Sequence, residues 1–254
     1  LPLAATMTLG QETLDALPEF AARFHWFLDN KPRYTAVVGD VHVLGGREGR
    51  LLSIVHRDRL VPILRTVLAE DEFLSPHGIR ALSQRHRSQP FTLYLEGASY
   101  TVDYEPGESQ TGLFGGNSNW RGPIWFPVNY LIIGALRRFA AFYGDDLRVE
   151  YPTGSGVTVT LSELADALSG RLISIFTDDE TGRRPVFGAD ALFQTSADWH
   201  DLVPFHEYFH GDDGHGLGAS HQTGWTALVA ALILDRGQEG GADSAATRAT
   251  SAGM

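Results

Sequence analysis

Apolar residues recur at three- and four-residue steps along most of this chain and rarely alternate strictly, so the sequence has to fold as packed helices rather than around a large sheet. Leu14, Leu17, Phe20, Ala21, Phe24 and Leu28 trace one such stripe, closed by Asn30 and Pro32. Leu60, Ile63, Leu64, Val67 and Leu68 trace a second. A third helix is expected to start at Ser75-Pro76, with Ser75 as cap and Pro76 in the first turn, and to continue through Ile79 and Leu82. A long helix is expected from Pro123 to about Tyr143. Another follows Thr160, whose hydroxyl forms a capping-box pattern with Glu163, and a last one runs from Thr223 to Leu234, ending at Arg236-Gly237. Asp201 to His210 reads either as a shorter helix or as an irregular segment.

The main departure from this period is Phe91 to Tyr104, where two β-prone runs flank Glu96-Gly97 and predict a small exposed hairpin, an insertion rather than a main sheet. Gly154-Ser155-Gly156 reads as a turn, since it lacks the spacing of a nucleophile elbow or a phosphate loop. About seven helices with one minor hairpin imply an all-α layered architecture and not a βαβ series. The Gly-, Ala-, Ser- and Thr-rich tail from Gln238 to Met254 is expected to be disordered.

Composition narrows the chemistry. With 254 residues, 43% of them apolar, the chain is able to bury a sizeable core. Its formal charge of −11 opposes binding to nucleic acid or anionic membrane, and suits a neutral polyhydroxylated ligand. The absence of cysteine excludes disulfides, a thiolate nucleophile and cysteine-ligated metal, and makes a reducing cytoplasm the expected compartment. The best apolar run, Ile124 to Leu136, is broken by Pro127 and Asn129 and falls short of the roughly 18 to 20 residues of a membrane span. Leu1 to Ala5 lacks a basic flank and a sustained hydrophobic stretch, so it reads as a cut through a buried segment rather than a signal peptide.

Two long loops hold the residue types that sugar sites use, and long loops in compact domains are usually functional. In the first, Gly107 to Gly122 and the residues that follow, Trp120, Arg121 and Trp125 lie between glycines and a helix start. Indole rings stack on sugar rings, while guanidinium groups donate to hydroxyl oxygens. Composition alone leaves open an equal alternative, that both tryptophans belong to the core and that Arg121 pairs locally. In the second region Glu207 lies among Phe205, Tyr208 and Phe209, and a glycine-rich loop leads on to His221, Gln222 and Trp225. A partly desolvated carboxylate of this kind suits general-base chemistry, although a solvated helix-surface glutamate has the same local sequence.

His206, His210, His215 and His221 with Asp212 and Asp213 invite a metal reading. Only His206 and His210 stand at helical spacing, the glutamate between them is not placed as in a zinc-protease motif, no third ligand is fixed, and the spaced oxygens of an EF-hand are missing. A solvated turn is expected there, with no metal and no cofactor.

Taken together, Asn119-Trp120-Arg121-Gly122-Pro123-Ile124-Trp125, then Glu207-Tyr208-Phe209, then the run from Gly216 through His221, Gln222 and Trp225 to Thr226, resemble the carboxy-terminal region of glycoside hydrolase family 63. This group contains processing α-glucosidases and bacterial enzymes acting on small α-glucosides or mannosylglycerate. The resemblance implies an (α/α)6 barrel and hydrolysis with inversion. It places Glu207 as general base, and Trp120, Arg121, Trp125, Tyr208, His221, Gln222 and Trp225 around an oligosaccharide or small glycoside. It further implies that residues 1–236 are the carboxy-terminal part of the catalytic domain, because a barrel of about twelve helices, each of roughly 11 residues, needs far more chain. The family's general acid is an aspartate of the amino-terminal half. None of Asp103, Glu105, Glu108 or Asp145 sits in a matching motif, so no acid is assigned, and that missing half is the expected partner. The alternative from another class is a non-catalytic carbohydrate-binding or scaffold module that keeps the aromatic pocket. A phosphorylase ranks third, for want of a basic cluster near Glu207.

Overall fold

The computed structural model describes residues 2–36, 38, 49–112 and 119–236. In chain order its elements are β1 (Thr6–Gly10), α1 (Gln11–Ala16), α2 (Pro18–Asn30), α3 (Pro32–Thr35), β2 (Gly49–Ser53), α4 (Arg57–Val67), β3 (Leu74–Ser75), β4 (Gly78–Ile79), β5 (Phe91–Leu95), β6 (Ala98–Val102), α5 (Phe126–Tyr143), β7 (Arg148–Glu150), β8 (Thr158–Thr160), α6 (Leu161–Ile173), α7 (Ala191–Thr195), β9 (Tyr208–Phe209), β10 (Gly216–Leu217), α8 (Thr223–Thr226) and a final helix α9 over 228–236. Among the described residues the strands pair only two by two, β1 with β2, β3 with β4, β5 with β6, β7 with β8 and β9 with β10. The architecture is therefore mostly α, as the apolar spacing predicts. The expected tail lies outside the described residues.

The chain divides into two compact units, Leu1–Leu74 with Val128–Ala167, and Ser75–Pro127 with Leu168–Met254. In the first, β1 and β2 run antiparallel from the pair Thr6 and Ser53 to the pair Gly10 and Gly49. Its core holds Leu51, Leu60 and Leu64 together with Ile133, Leu136, Phe139, Leu161 and Leu164. The capping box forms as the sequence predicts: the backbone N–H of Glu163 donates to Thr160 Oγ1 at 3.2 Å, and Thr160 N–H donates to Glu163 Oε2 at 2.7 Å.

Three expected helices differ, the simplest being the run from Thr223 to Leu234, which is interrupted at Ala227 between α8 and α9. The stripe from Leu14 to Leu28 is split at Leu17, because Pro18 drives the residue before it out of the helical region (φ −126°, ψ 69°) and then opens α2. No helix begins at Ser75-Pro76. Ser75 Oγ instead accepts the backbone N–H of His77 at 3.1 Å, Gly78 takes φ +139°, and the segment becomes the β3/β4 pair. Local turn chemistry overrides the apolar period there.

In the second unit, β5 and β6 form the expected hairpin, closed by Glu96 and Gly97 at φ +51° and +81°, a turn matched to strand twist. Phe126, Phe176 and Phe209 meet edge to face, with centroids 5.5 to 6.4 Å apart. Phe209 also exchanges both backbone hydrogen bonds with Ile124, at 2.8 and 2.9 Å. That exchange ties the Trp120–Trp125 segment to β9, although 84 residues lie between Ile124 and Phe209. The segment 201–210 takes the irregular option, with a strand only at β9.

Candidate active site

Every candidate site residue lies in the second unit. The hairpin β9/β10 supplies Tyr208 on one side, and Ile124 holds Trp125 against it. Trp125 is buried, and its Nε1–H donates to the Asn119 carbonyl at 2.9 Å. One face stacks on Trp120 (centroids 3.9 Å, 2° between planes), and Tyr208 stacks at 4.9 Å. Trp225, at the start of α8, meets the same ring at 5.6 Å, tilted by 58°. Trp120 and Trp225 remain 42% and 40% exposed. The four rings therefore form a wall with a buried centre and open edges, suited to stacking against the apolar face of a sugar.

Glu207 stands at the edge of that wall. Its backbone N–H donates to the Ala219 carbonyl at 2.8 Å, and its Oε2 accepts the Ala219 N–H at 3.5 Å. Gly218 fits only as glycine: at φ +67°, a Cβ there would lie 2.8 Å from Glu207 Oε2 and 2.8 Å from the Tyr208 ring. Burial pushes the Tyr208 phenol up to about 12, with the negative charges of Glu108 and Glu207 adding to it. The hydroxyl thus stays protonated and able to donate at neutral pH.

Arg121 is directed elsewhere. Its side chain is buried, and it donates to Asp103 at 3.2 Å, to Glu105, to Ser109 at 3.2 Å and to Thr111 at 3.0 Å. Asn119 completes the brace by donating to the carbonyls of Glu105 and Gly107, both at 2.7 Å. Of the two readings left open by composition, local pairing describes the geometry of Arg121. His221 lines a cavity of about 760 Å³ together with His206, Phe187, Phe193, Trp199 and Phe205. Gln222 caps α8, and its backbone N–H donates to Phe205 at 2.8 Å.

The acidic and histidine turn is a tight connection between β9 and β10. His210 N–H donates to the His215 carbonyl at 2.8 Å, and the two rings stack at 4.7 Å. His210, Asp213 and His215 bring potential ligand atoms within 4.8 Å of one another. However, Nδ1 of His210 accepts the N–H groups of Asp212 and Asp213 at 3.3 and 3.4 Å, and the Asp213 carboxylate holds His215 Nδ1 at 2.6 Å. The Nδ1 atoms of both histidines are thus engaged inside the turn. Asp212 anchors it by accepting from Tyr104 at 2.8 Å, from Arg87 at 2.5 Å and from Arg80 at 3.4 Å. Burial alone would raise the Asp212 carboxyl, but these hydrogen bonds and the two arginine charges outweigh it and hold the group below its ordinary value.

Residues 51–226 match the model of the mannosylglycerate hydrolase MGH1-like glycoside hydrolase domain. The chain belongs to this family. The matched span contains all three runs that resemble glycoside hydrolase family 63, and with them the aromatic wall and Glu207. The chain is also 48% identical, over 93% of its length, to uncharacterized protein YMR196W of Saccharomyces cerevisiae. It is 29% identical over 49% of its length to the mannosyl-oligosaccharide glucosidase of the same yeast. A probable mannosyl-oligosaccharide glucosidase of Schizosaccharomyces pombe is 24% identical over 70% of the chain. The chain spans 22%, 12% and 15% of these three proteins respectively. No helix among the described residues is long and apolar enough to cross a membrane.

Proposed function

We propose that this chain carries the base side of the active site of an inverting glycoside hydrolase acting on α-linked glucosides or related small α-glycosides. The observation that carries the reading is the Glu207 carboxylate, held by the Ala219 amide at the edge of the Trp120, Trp125, Tyr208 and Trp225 wall. A sugar stacked on that wall presents its anomeric carbon toward a water beside Glu207. Glu207 takes a proton from the water as its oxygen attacks the anomeric carbon, and the bond to the leaving oxygen breaks as a carboxylic acid across the ring protonates it. In such a pair the carboxyl groups stand about 6.5 to 9.5 Å apart, leaving room for the water.

We assign no acid among the described residues, and in this reading it comes from a segment outside this chain, completing an (α/α)6 barrel of which residues 1–236 form a part. Asn119 and Arg121 serve by shaping the loop beside the wall, and His221 and Gln222 border the sugar. The cysteine-free composition fits a cytoplasmic enzyme.

The test is hydrolysis of a panel of α-glucosides and mannosylglycerate by the full-length protein, following the released anomer by NMR. The expected result is the β-anomer first, with Glu207→Gln lowering turnover by about 10² to 10⁴. Sugar binding without turnover, unchanged in Glu207→Gln, would favour a non-catalytic carbohydrate-binding module instead.

A further inference from the structure

We propose that Glu108 is a substrate-positioning residue of the Glu207 site, its carboxylate accepting sugar hydroxyls beside the general base. The inference rests on the reading of the aromatic wall and Glu207 as a sugar site. Glu108 stands 99 residues before Glu207 in the chain, yet both carboxylates converge on one stretch of backbone. The Gly218 N–H donates to Glu108 Oε1 at 3.3 Å, and the next N–H, that of Ala219, donates to Glu207 Oε2 at 3.5 Å. Successive N–H groups present themselves together in this way where the chain passes through a left-handed residue, here Gly218 at φ +67°. The Glu108 carboxylate is held through one oxygen by an amide and retains capacity to accept hydroxyl protons.

The loop that carries Glu108 is built to hold one shape. Arg121, 1% exposed, reaches Asp103, Glu105, Ser109 and Thr111 on both sides of Glu108. The carbonyl of Pro106 also accepts the N–H of Gly211, which joins the loop to the turn after β9. Burying a guanidinium with its carboxylates gives little net stability but fixes geometry. That geometry leaves Glu108 itself exposed, close enough to Tyr208 for its charge to be felt at the phenol. An exposed carboxylate on a braced loop, beside a base and an aromatic wall, is placed to orient a polyhydroxylated ring.

The experiment uses the full-length protein with Glu108→Gln, Glu108→Asp and Glu207→Gln. Glucose binding is measured by calorimetry, and KM and kcat on p-nitrophenyl α-D-glucopyranoside and on the α-glycoside panel. For Glu108→Gln the expected result is glucose affinity weakened by about tenfold to a hundredfold and KM raised in step, with kcat within about threefold and partial rescue by Glu108→Asp. The same loss of affinity is expected when Glu108→Gln is added to Glu207→Gln. Unchanged affinity and KM in Glu108→Gln overturn the proposal, as does an equal loss of kcat and thermal stability that Asp does not relieve. Full turnover in Glu207→Gln beside weakened binding in Glu108→Gln would sink the general-base reading and leave this proposal standing. A wild-type protein that neither binds glucose nor hydrolyses the panel overturns both.

Discussion

Replacing Gly218 with alanine separates backbone strain from steric displacement of the candidate base. At φ +67° an alanine occupies the left-handed region, at a cost of about 1–2 kcal/mol. Its Cβ would also lie 2.8 Å from the Tyr208 ring and 3.1 Å from Glu207 Cβ. Tyr208 has no room to retreat, being buried and stacked on Trp125 at 4.9 Å, so the overpacking adds about 1–3 kcal/mol. Gly97 is the control: its φ is +81°, and nothing lies within 4 Å of a Cβ there. Gly97→Ala therefore incurs the strain alone. In thermal unfolding, each kcal/mol corresponds to about 2–4 °C for a chain of this size. Gly218→Ala should lower the Tm by about twice the decrement of Gly97→Ala or more. In the full-length protein it should also reduce turnover by about a hundredfold, the cost of displacing a catalytic group by about 1 Å. Equal melting temperatures for the two variants, with normal turnover, would refute the packing around Glu207.

Arg121→Ala removes the paired charge from the carboxylate of Glu105, whose side chain is only 13% exposed, and should cost about 3–5 kcal/mol in urea unfolding, with Arg121→Lys recovering little because the forked contacts are lost. Asp212 is held below its ordinary value, so its contribution to stability is complete above an unfolded pKa of about 3.9 and is lost as pH falls through the folded value. The difference in urea midpoint between wild type and Asp212→Asn should accordingly be large at pH 7 and shrink below about pH 4. His77, His206 and His210 are lowered, chiefly by burial, so the unfolded chain takes up protons at higher pH than the folded one. Stability should therefore begin to fall below about pH 6.5, measured by the same midpoints. Thr160→Ala removes the cap of α6 and should cost about 1 kcal/mol.

The helices whose start signals agree with their apolar period were legible in the sequence. Thr160 and Glu163 announce α6, and the run to Tyr143 announces α5, although Pro123 lies ahead of the first helical residue, Phe126. Where two local signals compete, periodicity misleads. Ser75-Pro76 looks like a helix start, yet the same serine satisfies the N–H of His77 two residues on, and Gly78 completes a reversal. The pairs β1/β2 and β9/β10 were not visible, because strands of two to five residues joined by glycine-rich or distant segments leave too short an alternation to read.

The same limit explains which parts of the candidate site the sequence exposed. Trp120, Trp125, Tyr208 and Trp225 announce themselves by residue type, and the wall they form follows from one long-range pairing, Ile124 with Phe209. Arg121 is chemically suited to donate to a sugar, and only the position of Asp103 and Glu105 reveals where its donors go. In the proposed reading an arginine so engaged acts on a ligand through the loop it holds. The residue that loop presents, Glu108, has no motif of its own, and its nearness to Glu207 depends on Gly218 passing through a left-handed conformation a hundred or so residues later. If positioning depends on this brace, loosening Arg121 and neutralising Glu108 should weaken sugar binding in the same direction, and combining them should add little. Independent, additive losses of glucose affinity would instead mean that Arg121 and Glu108 act separately.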